Sequence, residues 1–299
     1  MKENVLVRES VVRGSVFAGY FELTKPRITL LVVLTALVGY FMGSGASFSL
    51  WHLIHTLVGT GLVAGGASVL NQVVEREADA KMVRTARRAI PSGRIAPEHG
   101  LLFGSILGLG GILDIALFIN AATALLAAAT FALYVFVYTP LKRRTSLNTL
   151  VGAVPGALPP VGGWAAASGD VPLPAWSLFL IVFLWQVPHF LALAWLLRDD
   201  YVRGGFRMLT AGDTHGVVTG RHIAISALAL VPVSLAPSIL GISGVTYFFG
   251  ALILSSAYAG VSVWAAQALS SLRARWLFLA SVIYLPALLA VMLFDRLPV

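Results

Sequence analysis

The sequence contains no cysteine and few charged residues. The absence of cysteine excludes a disulfide framework, a thiolate metal site and a cysteine nucleophile. Charged residues make up only 11% of the 299 residues, whereas they make up roughly one quarter of a soluble domain. Hydrophobic residues make up 58%, and the mean hydropathy is +0.86. We therefore expect an integral membrane protein.

Apolar runs that are long enough to cross a bilayer follow one another along the chain. A spanning helix needs about 20 mainly apolar residues, and Gly and Pro residues between the runs indicate where each helix ends. The predicted spans are 28–47, 51–73, 100–119, 121–139, 148–167, 174–197, 220–240, 243–266 and 275–294. The polar N-terminal segment lacks the apolar core of a signal peptide. We expect a short tail at 1–25 and one membrane-embedded domain at 26–299.

The basic residues support this count of helices. Every Lys and Arg except Arg296 lies in the tail, or in or beside the loops after the second, fourth, sixth and eighth spans. Because Lys and Arg concentrate in cytoplasmic loops, these loops and the N-terminus are predicted to face the cytoplasm, in a cell inner membrane. The lipid bilayer is thus an expected partner. Topology also accounts for the net charge of +8, so nucleic-acid binding is not expected.

Acidic residues are concentrated in two of the same loops and their flanks. They are Glu75, Glu77, Asp79 and Glu98 in the first, and Asp199, Asp200 and Asp213 in the second. Asn71, Glu75 and Asp79 recur every four positions, so they share one face of a helix, with about 6 Å of rise between neighbours. Mg²⁺ prefers carboxylate and amide oxygens together with substrate phosphates. Arg84 and Arg88 follow and can hold phosphate oxygens.

The second acidic loop repeats this mixture of charges. Asp199 and Asp200 follow an apolar span and lie between Arg198 and Arg203. A solvated loop with ordinary helical ion pairs is the alternative interpretation. Two such loops on one side of the membrane favour divalent metals that bridge a diphosphate. We therefore predict Mg²⁺ ligands among Asn71, Glu75, Asp79, Asp199 and Asp200.

Further polar residues near the same face predict a pocket. They are Lys25 and Arg27 before the first span, Tyr138 and Lys142 after the fourth, Asn148 at the start of the fifth, and Trp185, Gln186 and His189 within the sixth. A histidine in hydrocarbon is costly unless it faces a cavity or a partner. His189 is therefore either a functional group or a neutral imidazole that is bonded to a neighbouring helix. At the opposite face, His52, His55 and Asp114 are expected only to pair helices, with Asp114 near Asn120.

Small and helix-breaking residues complete the predicted architecture. Close helix contacts are expected at Gly59, Gly61, Gly65, Gly66, Gly152 and Gly156. The three prolines of VPGALPPVGGW are expected to break the fifth helix where its backbone lines a cavity. The predicted fold is all-α, a polytopic bundle of about nine transmembrane helices around a central lipid-accessible cavity. Its active-site loops are expected at the cytoplasmic face.

Several motifs resemble a known enzyme family. The run NQVVEREADAKMVRT is similar to the first acidic motif of the UbiA-type intramembrane prenyltransferases. Over roughly residues 22 to 215, further motifs resemble the heme-modifying branch of that superfamily, the protoheme IX farnesyltransferases: TKPRIT, MVRTARR, YTPLKRRTSLN, GALPPVGGWAAASG, WQVPHFLALAW and DYVRGGFRML. The sequence departs from the superfamily pattern at three places. Glu75 replaces a common aspartate, Ala89 replaces a proline after Arg88, and Asp199 and Asp200 are adjacent instead of four apart.

The resemblance implies an enzyme that joins farnesyl diphosphate to a vinyl group of protoheme IX (heme B) with addition of water, giving heme O and diphosphate. It implies Mg²⁺ as cofactor and a farnesyl tail among the apolar helices. The catalytic residues that it implies are Asn71, Glu75, Asp79, Lys142, His189 and Asp199. The substrate-binding residues are Lys25, Arg27, Arg84, Arg88, Tyr138, Asn148, Trp185, Gln186 and Arg203. A role of His189 in orienting heme, ligating its iron or positioning the water stays open, and a heme A synthase or oxidase assembly partner is implied by the resemblance alone.

Two other functions stay open on the sequence. A related prenyltransferase would share the metal chemistry and act on a quinone precursor or chlorophyllide, although WQVPHF favours heme. A transporter or heme-handling protein without catalysis is the second alternative. Transporters usually show an internal repeat or charge at the bilayer midplane. Here the charge lies at one face, and the sequence shows no convincing repeat.

Overall fold

The computed structural model describes residues 16–45 and 48–297, most of which are helical. The helices are α1 Val16–Leu23, α2 Pro26–Gly43, α3 Leu50–Lys81, α4 Pro97–Phe118, α5 Ala121–Leu141, α6 Asn148–Ser168, α7 Leu173–Leu196, α8 Arg198–Arg203, α9 Leu209–Gly212, α10 Val217–Ile239, α11 Val245–Gln267 and α12 Ser271–Phe294. Within this part of the chain, 9 helices are long and apolar enough to cross a membrane: α2 to α7 and α10 to α12. The predicted all-α fold and its number of spans are confirmed.

Short connections place the basic loops at one end of the bundle. Successive spans run in opposite directions, so the segments 82–96, 142–147, 197–216 and 268–270 share that end. Lys2, Arg8 and Arg13 of the predicted tail lie outside the described residues. The last part of that tail is helix α1, which packs Leu23 against the side chains of Val69 and Val73 on α3.

Helix α3 is longer than its predicted membrane span, and it includes the stripe of Asn71, Glu75 and Asp79 that the spacing predicted on one helix face. It has 32 residues, which is about 48 Å of helix, whereas the hydrocarbon core of a bilayer is about 30 Å thick. It continues eight residues beyond the predicted end at residue 73, because no Gly or Pro interrupts it between Ala67 and Lys81. Its last turns therefore carry Glu75 and Asp79 on a regular helix at the loop end of the bundle.

Small residues let the helices approach closely, as predicted. A Cβ atom at Gly66 on α3 would lie 2.5 Å from the backbone nitrogen of Gly108 on α4. A Cβ atom at Gly59 would lie 2.5 Å from Cγ1 of Ile115 on α4. Gly61 differs, since a Cβ atom there would make only an ordinary contact with Val33, at 3.5 Å. Glycine thus sets the α3–α4 distance at Gly59 and Gly66.

One detail of the prediction is wrong, and another is confirmed. Helix α6 is not broken, because Pro155, Pro159 and Pro160 are buried inside one continuous helix, where packed neighbours tolerate proline. Asp114 pairs two helices, as expected. His55 Nδ1 lies 2.8 Å from Asp114 Oδ1 and joins α3 to α4, whereas Asn120 caps α5 by accepting a hydrogen bond from the Thr123 backbone at 2.8 Å.

Candidate active site

The stripe of polar residues on α3 is buried at the loop end of the bundle. The exposed fractions of Asn71, Glu75 and Asp79 are 1%, 5% and 1%. Buried ionised groups need partners, because taking a charge out of water is costly. Each of these three side chains meets a different basic side chain, and the three basic side chains come from different segments of the chain.

Lys142 is the partner of Glu75. Its Nζ lies 2.8 Å from Oε1 and 3.2 Å from Oε2 of the carboxylate, and the second contact has the geometry of a hydrogen bond. Burial is the largest influence and opposes the charged form of Lys142, but the charge and hydrogen bond of Glu75, together with Tyr138 and Tyr134, outweigh it and raise the pKa of Lys142 well above its usual value. The ammonium group also lies 4.7 Å from the centre of the Tyr138 ring and 5.7 Å from that of Phe206. Lys142 is therefore a fixed cation in an aromatic setting.

Arg88 is the partner of Asp79. Arg88 Nη1 donates to Asp79 Oδ2 at 2.8 Å. The other carboxylate oxygen, Oδ1, is buried and has no hydrogen-bond partner among residues 16–45 and 48–297. An oxygen left without a donor in a buried site costs free energy. Asp79 therefore retains one oxygen for a further ligand.

Lys25 is the partner of Asn71. Lys25 Nζ donates to Asn71 Oδ1 at 3.3 Å, and Asn71 Nδ2 donates to Thr139 Oγ1 at 3.1 Å. Burial, together with the nearby cations Arg88 and Lys142, lowers the pKa of Lys25 to about 7. Within the described chain, Lys25 is the one non-glycine residue with a left-handed backbone, at φ 48°. Such strain is held only where the surrounding structure fixes it.

The second acidic segment lies beside the end of α3. Asp200 Oδ1 accepts hydrogen bonds from the Val83 backbone at 3.2 Å and from Arg203 Nη2 at 2.5 Å. The bond from Arg203 lowers the pKa of Asp200. Asp200 is buried, whereas Asp199 is exposed. The structure thus brings the two acidic segments together, and Asp200 holds α8 against the backbone of residue 83.

Other predicted site residues surround this cluster at different distances. Asn148 is buried and donates to the carbonyl oxygen of Arg207 at 2.9 Å, and the Arg207 backbone donates to the carbonyl of Lys142 at 2.7 Å. Asn148 therefore positions the loop that carries Lys142. Arg27 and Arg84 have exposed side chains at the same end of the bundle.

Trp185, Gln186 and His189 form a separate group on α7. Trp185 Nε1 donates to the Ser281 carbonyl on α12 at 2.8 Å, and His189 Nδ1 lies 2.7 Å from Ser281 Oγ. The His189 ring stacks between Trp185 and Phe278, with 4.9 Å between ring centres on each side. Gln186 Nε2 turns toward α6 and reaches the carbonyl of Ala153 at 3.4 Å. In the described chain, no hydrogen bond or ion pair links this group to the acidic cluster.

A cavity of about 110 Å³ lies below the cluster, between α2, α3, α4, α5 and α6. Ser68 and Tyr134 line it near the cluster, and Ile115, Thr123 and Gly162 line it toward the opposite end of the bundle. Most of its remaining wall is apolar. The expected central cavity is therefore present.

Sequence reasoning missed several neutral residues of the site. Thr139 orients Asn71, Phe206 faces the ammonium group of Lys142, and Tyr134 lines the cavity in a π-helical turn at Leu133–Tyr138. None of the three carries a charge. Thr139 and Phe206 lie within the motifs YTPLKRRTSLN and DYVRGGFRML, but their side-chain chemistry alone did not single them out as site residues.

The donor set of the cluster has the chemistry of a hard-cation site. The described part of the chain has no group of three His, Cys, Asp or Glu side chains that could hold a metal. The set on α3 is mixed instead, with one amide and two carboxylates on one face. The unpaired Asp79 Oδ1 and the oxygen chemistry suit a hard cation such as Mg²⁺, which takes few protein ligands and completes its shell with water and phosphate. The residues fit.

The arrangement suits one kind of ligand. Buried carboxylates alternate with lysine and arginine at the mouth of an apolar cavity. Such a site can hold a polyanion through divalent cations and basic side chains, and it can shelter an apolar tail below.

Comparison with known proteins agrees with this geometry. The sequence model of the UbiA prenyltransferase family matches residues 32–293. A relative from Solibacter usitatus, named protoheme IX farnesyltransferase, is 46% identical over 288 residues, which cover 93% of this chain and 98% of the relative. A relative of the same name from Koribacter versatilis is 44% identical over 293 residues, which cover 95% and 94%.

Solved structures share the fold. A digeranylgeranylglyceryl phosphate synthase has a TM-score of 0.79 at 17% identity, covering 94% of this chain and 99% of that one. A UbiA homolog from Archaeoglobus fulgidus, described as bound to GPP and Mg²⁺, has a TM-score of 0.67 at 15% identity, covering 92% and 99%.

Proposed function

Because this chain belongs to the UbiA prenyltransferase family, we propose that it transfers the farnesyl group of farnesyl diphosphate to a vinyl group of protoheme IX. Addition of water gives heme O, and diphosphate leaves. The observation that carries this proposal is the 46% identity over 93% of the chain to a protoheme IX farnesyltransferase. The buried ionic cluster above an apolar cavity supplies the chemistry that such a transfer needs.

The chain is a multi-pass membrane protein with 9 candidate spans among its described residues. We place it in the cell inner membrane with its N-terminus in the cytoplasm. The support is the charge pattern, since every Lys and Arg among the described residues except Arg296 lies at or near the end of the bundle that carries the site, and positive loops stay cytoplasmic. Residues 1–25 are the cytoplasmic segment, and 26–299 form the membrane domain.

The metal ligands in this proposal are Asn71, Glu75 and Asp79, with Asp199 from the second segment. Asp200 Oδ1 accepts hydrogen bonds from Val83 and Arg203, so we assign Asp200 to positioning that segment. Only its second oxygen, Oδ2, could contact the metal directly. Mg²⁺ bound there would act as a Lewis acid and stabilise negative charge on the leaving diphosphate.

Basic residues of the cluster then change partners. Arg88 and Lys142 neutralise Asp79 and Glu75 in this structure. With a diphosphate bound at the same place, Arg88 and Lys142 would donate to its phosphate oxygens, while Asp79 and Glu75 would hold the divalent cation that is bound with it. Lys25 and the exposed Arg27, Arg84 and Arg203 add positive charge around the anion. Charge that grows on the diphosphate as the allylic bond breaks is thereby stabilised.

The apolar cavity holds the isoprenoid chain. Its walls from α2, α3, α5 and α6 exclude water from the allylic cation, which would otherwise be hydrolysed. Tyr138 supports the ammonium group of Lys142 at the mouth of the cavity.

The aromatic group on α7 and α12 is assigned to the acceptor. Trp185 and His189 are fixed by hydrogen bonds to Ser281, and their flat stacked rings suit contact with a planar porphyrin. The Nδ1 atom of His189 is engaged, so Nε2 is the nitrogen that would face heme. Gln186 lies between this group and the cavity-lining α6. A heme A synthase or an oxidase assembly factor is the expected recipient of the product.

The experiment is to incubate the purified protein with heme B, farnesyl diphosphate and Mg²⁺ and to measure the product mass. The proposal predicts the mass of heme O. Prenylation of a quinone precursor or chlorophyllide, with heme left unchanged, would identify a different acceptor. Absence of any prenylated product would favour a transporter or heme-handling protein.

A further inference from the structure

The cavity has a measurable depth below the ionic cluster. Tyr138 marks the level of the cluster, because its ring supports Lys142 and packs against Gly152 on α6, leaving no room there for a Cβ atom. Gly162 lies ten residues further along the same helix, which is about 15 Å. On α3, Thr60 lies eleven residues from Asn71, or about 16 Å. Two helices thus place Gly162 and Thr60 at a similar depth.

This depth matches the length of a farnesyl chain. Its main chain of roughly 12 carbons, at about 1.2 Å per bond as in extended polypeptide, spans about 14 Å. A geranyl chain spans about 9 Å and a geranylgeranyl chain about 19 Å on the same scale. A farnesyl chain whose diphosphate lies at the cluster therefore ends beside Gly162 and Thr60.

Two residues shape the far end of the cavity. The packed side chain of Ile115 closes one wall, and Gly162 leaves free space at another. Ile115 on α4 is 1% exposed and packs against Gly59 beneath Thr60. Gly162 lines the cavity, and a Cβ atom built on it meets no other atom within 4 Å. A larger residue at position 162 would therefore occupy cavity space without striking the backbone.

From these observations we propose that Gly162 and Ile115 set the isoprenoid chain length that the protein accepts. Gly162 leaves the space that the third isoprene unit fills, and Ile115 blocks a fourth. This inference rests on the proposed function, because it requires an allylic diphosphate at the ionic cluster.

The test compares geranyl, farnesyl and geranylgeranyl diphosphates as competitors of labelled farnesyl diphosphate on the full-length protein. Gly162→Leu is expected to weaken farnesyl diphosphate binding about tenfold or more relative to geranyl diphosphate, because a hydrophobic pocket discriminates by such factors per missing or added group. Ile115→Ala is expected to strengthen the binding of geranylgeranyl diphosphate relative to that of farnesyl diphosphate. Gly162→Ala adds one methyl group and is expected to change the same binding ratio in the same direction as Gly162→Leu, but by less. It keeps the test possible if Gly162→Leu does not fold.

Gly260→Leu on α11 is the matched control. A Cβ atom there also meets no atom within 4 Å, and Gly260 is exposed outside the cavity. Unchanged ratios among the three diphosphates in Gly162→Leu and Gly162→Ala, or an equal shift in Gly260→Leu, would overturn the inference. Because competition needs no acceptor, it is independent of heme prenylation. A wild-type protein that binds none of the three diphosphates would instead remove the proposed function, and this inference with it.

Discussion

Glu75 is a buried carboxylate whose charge is balanced by one lysine, Lys142. Removing one member of a buried ion pair leaves an uncompensated charge and costs about 3–5 kcal/mol, whereas replacing both members is often nearly neutral. We predict that Glu75→Gln and Lys142→Met each lower the thermal unfolding midpoint, and that the double variant recovers most of the loss. Thermal unfolding of the three variants in one detergent measures this.

Catalysis should not recover with stability in that series. Both side chains are assigned to the metal and the diphosphate, so the double variant is expected to be stable and inactive. Glu77→Gln is the control, since Glu77 is exposed and pairs with Arg76 at 3.5 Å on the surface, where such pairs contribute little. If the double variant is no more stable than either single variant, Glu75 and Lys142 do not neutralise each other's charge in the folded protein.

The acidic residues of the site were predictable from the sequence, and their partners were not. The spacing of four placed Asn71, Glu75 and Asp79 on one face, because helix geometry is local. The ion pair of Arg88 with Asp79 and the support of Asn71 by Thr139 depend on how the loop and helices pack. Adjacent Asp199 and Asp200 could not be distinguished by sequence, since their different burial follows from the position of Val83.

At the scale of elements, Asp200 ties the short helix α8 to the end of α3 through the Val83 backbone. Hydrogen bonds to a charged group contribute about 1.5–3 kcal/mol, so Asp200→Asn should loosen this contact. We predict faster amide hydrogen exchange in residues 82–84 and 198–203, with exchange in the cores of the spans unchanged. Mass spectrometry of exchanged peptides measures this.

The exposed neighbour Asp199 supplies the comparison for that experiment. Asp199→Asn should leave exchange in residues 82–84 as in the wild type, while it lowers turnover if Asp199 binds metal. Equal exchange in the Asp200→Asn variant and the wild type would contradict the positioning role of Asp200.

The helices themselves were predictable to different degrees. Long apolar runs identified all the spans, because the bilayer fixes the length of a spanning helix. Hydropathy ended the predicted span of α3 at residue 73, since its last turns are polar, and only the spacing of Asn71, Glu75 and Asp79 indicated that the helix continues. The prolines of α6 wrongly predicted a break in that helix. Their effect depends on the helices packed around them, which allow α6 to continue as one helix.

In the proposed topology of the whole protein, the end of the bundle that carries the site faces the cytoplasm. The absence of cysteine allows single labels to test this directly. Ser92 is exposed in the loop between α3 and α4, and Ser168 is exposed at the opposite end of α6. We predict that a membrane-impermeant maleimide labels Ser168→Cys in intact cells and labels Ser92→Cys only after permeabilisation. The reverse pattern would place the active site on the other side of the membrane.

The central claim is that the carboxylates of α3 bind Mg²⁺ together with a diphosphate. Since Arg88 and Lys142 occupy those carboxylates in this structure, either ligand alone must break ion pairs, and the two ligands should bind cooperatively by a factor in the usual range of about 5–150. Calorimetric titration of Mg²⁺ with and without farnesyl diphosphate, in the wild type and in Asp79→Ala, measures this factor. We predict Mg²⁺ binding that is strengthened by farnesyl diphosphate in the wild type and lost in Asp79→Ala. Equal Mg²⁺ affinity in the two proteins would contradict it.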